Sequence, residues 1–492
     1  MNTRSNHRPG AAAWRGLPAA QQPPWPDPVA LEAVLAELRT LPPLVLAHEC
    51  DTLRARLAEV ARGNALLLQG GDCAEAFEGA TAQATAGSLA TLRQMAAVLG
   101  YAASTPVTTV GRIAGQYAKP RSAPTETRGS VTLPSYRGDC VNAREFTAQA
   151  RTPDPRRLNT MYQRSAATLN LIRALTAAGH AGLDQVHAWN REFVLRSPLG
   201  KRYEHLLGEI EAALAFLGTY GPPQSGSGIR PTEFYVSHEA LLLDYESALA
   251  ATDPHTGRQY AGSAHLLWIG ERTRGLDGAH LAFAAEIANP VAVKLGPTTT
   301  PQDALALVQR LDAAREPGRL TFITRMGKDR IREVLPPVVE AVTRSGALVA
   351  WLCDPMHGNT FQAPTGHKTR HLDDILDEVT GFFDVHRSLG THPGGLHIEL
   401  TGSAVTECLG GGDALTPHDL PERYETSCDP RLNHNQSMDL AFHVAQLYRQ
   451  SARPRPGHTH SPLANLSRQE DTCTTTSRTS PPVPLSTSAT SS

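Results

Sequence analysis

Apolar residues along this chain fall into eight short runs, and almost every run ends in a charged or metal-competent side chain. The runs are NALLLQGGDC (64–73), PVTTVGRI (106–113), TEFYVSHE (232–239), HLLWIGER (265–272), PVAVKLGP (290–297), RLTFITRM (319–326), ALVAWLCDPMH (347–357) and GLHIELTG (395–402). Each has the length of a buried strand, and most precede a stretch with apolar residues at helical spacing. Eight strands alternating with helices predict an α/β chain folded as a (β/α)8 TIM barrel. In that fold the active site is assembled at the C-terminal strand ends. The polar ends of the runs are therefore the candidate site.

The spacing is uneven, and the exception is informative. More than a hundred residues separate the second run from the third. Within that gap LNTMYQRSAATLNLIRALTAAG and KRYEHLLGEIEAALAFLGTYG keep a helical period. They predict helices inserted between the second and third strands, over 155–225. Such an insertion serves packing alone, or forms a regulatory or oligomer surface. Residues 1–45 predict an N-terminal extension, with a Pro-rich arm (AAQQPPWPDP) leading into a helix (LEAVLAELRTL). Trp14 and Trp25 in this extension suit a clip onto the barrel or onto a second subunit. The barrel domain is expected over 46–450, closed by the helical run MDLAFHVAQLYRQ. The Ser/Thr/Pro-rich tail, 451–492, is expected to be disordered, because it cannot bury enough apolar area to offset its chain entropy.

Composition narrows the setting. The 492 residues are 40% hydrophobic, enough for a large core, and the formal charge of −2 gives no bias toward nucleic acid or an anionic membrane. No run of 18 apolar residues suggests a membrane span, and the first residues lack the apolar stretch of a secretory leader. Seven scattered cysteines do not form a disulfide framework, so a reducing cytoplasm is expected.

The chemistry then comes from what the strand ends carry. Cys73 follows the first strand, His357 ends the seventh, Glu399 lies in the eighth, and Asp429 follows the barrel. Singly, such residues are more often a structural imidazole or an inert thiol. Together at one barrel mouth they make a mixed S/N/O/O set suited to a divalent transition metal. Zn2+, Co2+, Cd2+, Fe2+ and Mn2+ all remain open. Arg112, Lys119, Arg121, Arg272, Lys294 and Arg325 fall at or just after strand ends as well. Like charges so close repel unless an anion sits among them, which points to substrates rich in phosphate and carboxylate. Glu271, beside Arg272, could orient a guanidinium, place a water or move a proton. The Gly-rich segments QGGD, GRIAGQ and CLGGG match no P-loop or dinucleotide fingerprint.

Read in order, LLLQGGDCAEAF, VGRIAGQYAKPRS, LPSYRGD, SHEALLLDYE, WIGERTR, VKLGP, RMG, DPMHGNT, GTHPGGLHIELTG, VTECLGG and RYETSCDPRLN closely resemble the type II 3-deoxy-D-arabino-heptulosonate 7-phosphate (DAHP) synthases. The resemblance covers roughly residues 14–450. It implies a (β/α)8 barrel that condenses phosphoenolpyruvate with erythrose 4-phosphate and releases phosphate, opening the shikimate pathway to chorismate and the aromatic amino acids. It places the metal on Cys73, His357, Glu399 and Asp429, with Mn2+ favoured over Co2+, Cd2+ or Zn2+. It places phosphoenolpyruvate on Arg112, Lys119, Glu271, Arg272, Lys294 and Arg325, and the phosphate of erythrose 4-phosphate on Arg121 and Ser122. Lys119 and Glu271 are the candidates for moving the water's proton. The family also implies a homodimer or homotetramer, a chorismate mutase partner in some members, and feedback through the inserted helices. Two other readings keep most of these motifs: an amino-DAHP or DAHP synthase serving a secondary-metabolite pathway, and a non-catalytic regulatory barrel.

Overall fold

The computed structural model describes residues 13–179, 182–220 and 233–452. The expected tail beyond 452 and the last part of the expected insertion, 221–225, lie outside the described residues. Eight parallel strands close the barrel: β1 (Leu66–Gly71), β2 (Val107–Arg112), β3 (Tyr235–Glu239), β4 (Leu266–Ile269), β5 (Val291–Leu295), β6 (Leu320–Thr324), β7 (Ala350–Cys353) and β8 (Gly395–Glu399). Neighbours in sequence are neighbours in the sheet, and β8 pairs with β1 to shut the ring. The expected (β/α)8 fold is the observed one, and each apolar run contributes one strand.

Period-2 alternation sorts each strand into two faces. Leu67, Val110, Tyr235, Leu266, Trp268, Ala292, Ile323, Ala350 and Leu352 point inward as one buried cluster. Two residues further along, the inward positions turn polar: Gln69, Arg112, Lys294, Asp354 and, on β8, His397 and Glu399. The barrel therefore has an apolar floor and a charged mouth. Helix Ala47–Ala61 covers the floor, burying Leu53, Leu57 and Val60 completely in the same cluster. That helix precedes the first apolar run, and nothing in its local pattern marks it as a plug.

The outer helices follow ordinary local rules. Helix Pro301–Leu311, after β5, starts with a capping box of Thr300 and Asp303 and has Pro301 in its first turn. Helix Ile331–Arg344 buries Ile331, Leu335, Val338, Val339 and Val342, an i, i+4, i+7 stripe. Between β2 and β3 come the helices Arg157–Ala177, Leu183–Arg196 and Gly200–Tyr220. Phe193 and Tyr203 of this set stack on Phe442 of the closing helix His434–Ala452, with centroids 6.0 and 4.3 Å away. Three short hairpins escaped the periodicity argument: Thr125–Arg128 with Val131–Pro134, Ala250–Thr252 with Gln259–Ala261, and Phe361–Gln362 with Lys368–Thr369. Their strands are too short to show a period. In the N-terminal extension, helix Pro28–Leu38 forms where LEAVLAELRTL predicted one. Trp14 is buried edge-on against Phe283, 6.0 Å between centroids, so the extension clips onto its own barrel. No helix among the described residues is long and apolar enough to cross a membrane.

Barrel closure puts a strict demand on Gly395, which pairs with Leu67 of β1 and Leu352 of β7. Its φ of 146° is one that side chains rarely adopt, and a Cβ there would collide with the Leu67 carbonyl. Gly395→Ala is expected to destabilise the fold by roughly 3 kcal/mol or more, read from urea denaturation; an unchanged midpoint would refute that role.

Candidate active site

Glu399 is the deepest of the candidate residues and fully buried. Its Oε1 accepts from Arg112 Nη2 at 3.0 Å and lies 3.1 Å from His357 Nε2. Its Oε2 accepts from Arg370 Nη2 at 2.8 Å. Burial favours the neutral acid, but His357, Lys119, Arg370 and Arg112 outweigh it and hold the carboxyl well below the usual range.

Cys73 Sγ and carboxylate oxygens of Glu399 and Asp429 lie within 4.8 Å of one another. The Lys119 ammonium sits among them, 2.7 Å from Cys73 Sγ, 2.7 Å from Asp429 Oδ2 and 3.8 Å from Glu399 Oε1. Burial opposes its charge, yet Asp429, Cys73 and Glu399 raise its pKa well above the ordinary lysine value. The set thus demands a cation at its centre. His357 lies outside that cluster of three but adjoins it, its Nε2 3.1 Å from Glu399 Oε1. Its Nδ1 hydrogen-bonds Asp354 Oδ2 at 2.8 Å, which aims Nε2 at the ligand group. Burial pushes the Cys73 thiol up, and Cys428 and Glu399 add to that. The four donors, one sulfur, one imidazole and two carboxylates, fit a borderline divalent ion.

The predicted cations surround this set. Arg112 is fixed by His397: Gln69 Oε1 takes the Nδ1 proton of His397 at 2.7 Å, leaving Nε2 to accept from Arg112 Nη1 at 2.6 Å. Lys294 Nζ pairs with Asp354 Oδ2 at 2.8 Å, and burial, aided by Arg112, lowers its pKa. Arg325 Nη2 donates to the His357 carbonyl at 3.1 Å. Arg272 Nη2 donates to Ser122 Oγ at 2.7 Å, and Arg121 Nη2 to Glu126 Oε1 at 3.0 Å. Glu271 grips Arg274 with both oxygens, at 2.8 and 3.0 Å, and accepts from Gly296 N at 2.7 Å. All the sequence-predicted site residues except Glu399, which lies beneath, line one cavity of about 350 Å³.

Several residues of this mouth were not singled out from sequence. Asp354 orients His357 and pairs Lys294, and its place in LCDPMH was the available signal. Arg370, fully buried, came from an unremarkable HKTR segment. Glu239 closes the third run and lines the cavity, and burial raises its pKa. Lys368 Nζ reaches Asp429 Oδ1 at 3.3 Å from the hairpin after β7. A larger cleft of about 1000 Å³ lies by the N-terminal ends of β4 to β6, but its Arg258 is paired with Glu316 and its Arg319 bonds backbone carbonyls. The concentrated unlike charges are at the mouth, not there.

Comparison with known proteins gives the family. Residues 10–445 match the model of the Class-II DAHP synthetase family. The phospho-2-dehydro-3-deoxyheptonate aldolase of Streptomyces coelicolor is 61% identical over 450 residues, 91% of this chain and 100% of that protein. The phospho-2-dehydro-3-deoxyheptonate aldolase AroG of Mycolicibacterium smegmatis is 54% identical over 438 residues, 88% and 93% of the two chains. A solved structure of the enzyme of that name from Thermotoga maritima covers 78% of this chain and 69% of its own, at 14% identity and a TM-score of 0.33. On the match along its length and on the two close relatives, the chain belongs to the class-II DAHP synthetase family.

Proposed function

We propose that this protein is a 3-deoxy-7-phosphoheptulonate synthase, which condenses phosphoenolpyruvate with erythrose 4-phosphate, releases phosphate and opens the shikimate pathway. The observation that carries the reading is one cavity in which a sulfur, imidazole and carboxylate set meets seven basic side chains from the ends of β2, β4, β5 and β6 and the hairpin after β7. The names of the two close relatives support it.

Cys73, His357, Glu399 and Asp429 would hold a divalent ion, Mn2+ first, with Co2+, Cd2+ or Zn2+ also accommodated by the donors. Such an ion supplies Lewis acidity toward an aldehyde oxygen. Arg112, Arg272, Lys294 and Arg325 take the carboxylate and phosphate of phosphoenolpyruvate. Two of them are already held by anionic or imidazole partners, so little reorganisation accompanies binding. Arg121 and Ser122 take the phosphate of erythrose 4-phosphate. The Arg272 to Ser122 bond supports a reading in which the two subsites adjoin. This converts a bimolecular encounter into a positioned one.

The methylene carbon of phosphoenolpyruvate then bonds to the aldehyde carbon, and Lys119 gives a proton to the aldehyde oxygen. Water adds to the electron-poor carbon beside the phosphate ester and passes its proton to Glu271. Its Oε1 retains acceptor capacity beyond its one bond to Arg274, whereas Oε2 already accepts from Arg274 and Gly296. Phosphate leaves from the resulting hemiketal, giving the keto sugar. The same reading includes a cytoplasmic homodimer or homotetramer open to a chorismate mutase partner.

Phosphate release from phosphoenolpyruvate is expected to require erythrose 4-phosphate, to fall about a hundredfold or more on exhaustive chelation, and to return with Mn2+ or Co2+. Activity indifferent to chelation would overturn the metal assignment, and no consumption with any tetrose phosphate would overturn the reaction. Arg325→Ala is expected to raise the KM for phosphoenolpyruvate roughly tenfold to a hundredfold while sparing that for erythrose 4-phosphate. Steady-state kinetics with each substrate varied would check it; an unchanged KM removes Arg325 from the site.

A further inference from the structure

The extension that precedes the barrel also touches the rim of the site. It crosses the loops that follow β2, β3 and β4. The Pro18 carbonyl accepts from Ala279 N at 3.0 Å. Gln22 Nε2 donates to the Leu241 carbonyl at 2.7 Å, and its Oε1 accepts from Leu243 N at 3.3 Å. Gln21, next to it, reaches the loop after β2.

The Gln21 amide makes both of its complementary bonds to one residue. Its Nε2 donates to the Arg121 carbonyl at 3.1 Å, and its Oε1 accepts from Arg121 N at 2.8 Å. A side chain thus imitates a strand partner for the backbone that carries Arg121 and Ser122. The main-chain carbonyl of Gln21 accepts in addition from Arg137 Nη1 at 3.2 Å. Gln21 has a φ of 64°, a left-handed conformation that few residues other than glycine adopt. Such a conformation persists only where surrounding contacts over-determine it. Here the contacts are these three bonds and the neighbouring grip of Gln22.

We propose that Gln21 is a positioning residue for the second substrate: from outside the barrel it fixes the Arg121–Ser122 segment in the register that receives an aldose phosphate. The extension is then a brace behind the subsite as well as a clip. This inference rests on the assignment of Arg121 and Ser122 made above. The hydrogen bonds of Gln21 go to Arg121 and Arg137, neither a proposed metal ligand nor a residue assigned to phosphoenolpyruvate. Its effect should therefore fall mainly on erythrose 4-phosphate, with a smaller effect on phosphoenolpyruvate through the Ser122–Arg272 bond.

Steady-state kinetics of the full chain test this, with Gln21→Ala, Gln21→Met and Arg121→Ala compared. Gln21→Ala and Gln21→Met are both expected to raise the KM for erythrose 4-phosphate roughly fivefold. The KM for phosphoenolpyruvate should stay within about twofold. Methionine keeps the bulk and loses both bonds, so a normal KM in Gln21→Met would assign the residue to packing and overturn the proposal. Should Gln21→Ala not fold, Gln21→Met alone carries the test. A rise in Arg121→Ala without one in Gln21→Met overturns the role of Gln21 and leaves the subsite assignment standing. No rise in any variant overturns the assignment, and the inference with it. Parallel rises for both substrates mark a general loosening and likewise overturn it.

Discussion

The mouth of this barrel is organised around one buried negative charge. Glu399 sits at the end of the last strand with no exposed surface, where an unpaired carboxylate would cost several kcal/mol. Its compensation comes from far-separated parts of the chain. Arg112 arrives from β2, Lys119 from the loop beyond it, His357 from the end of β7, and Arg370 from the segment before helix Leu372–Leu389. Satisfying Glu399 therefore draws together the loops that carry the rest of the site. Arg112 is held a second time, over the ring of Trp268 at 5.1 Å, which ties β2 to β4 across the barrel.

These charges stand directly on an apolar floor. The same inward stripe that places Val110 below Arg112 and Ala292 below Lys294 gives each charge a low-dielectric base. In such surroundings every pairing is strengthened and every unpaired group is expensive. That trade explains why most of the inner layer is bonded, with Glu239 Oε1 and Trp268 Nε1 as buried exceptions. Gln69 donates to Ser237 Oγ at 2.9 Å and accepts from His397, which in turn serves Arg112. The fixed network leaves the cations aimed into the cavity.

Outside that layer, buried carboxylates hold irregular backbone. Glu75 accepts from Ala114 N, Gly115 N and Gln116 N at 3.0, 2.8 and 2.7 Å, fixing the turn that leads to Lys119. Burial raises its carboxyl to about 7. Glu407 accepts from Thr426 N and Arg431 N, both at 2.8 Å, and from Arg431 Nη2 at 2.7 Å. Arg431 also bonds Asp72 at 2.5 Å, so the Asp429 loop is tied to the Cys73 loop. Loops without a ladder must find partners for their amides elsewhere, and these two glutamates provide them.

What the sequence determined by itself was whatever obeys a short-range rule. Eight apolar runs of strand length could hardly form anything but parallel strands, and the charged or metal-competent group closing almost every run named the mouth. Cys73, His357, Arg112, Lys294 and Arg325 were readable for that reason. Asp429 and Arg121 were named with them although each lies beyond the strand that period-2 alternation can locate, and Ser122 came only through the family resemblance. Only the tertiary structure decided the rest. Arg370 meets Glu399 across 29 residues of sequence, Arg431 meets Asp72 across 359, and Gln21 meets Arg121 across 100. The plug helix Ala47–Ala61 and the choice of Asp354 to orient His357 belong with them. None of these contacts leaves a local period or composition, because each is selected by the cost of leaving a buried charge or amide unpaired once the barrel has closed.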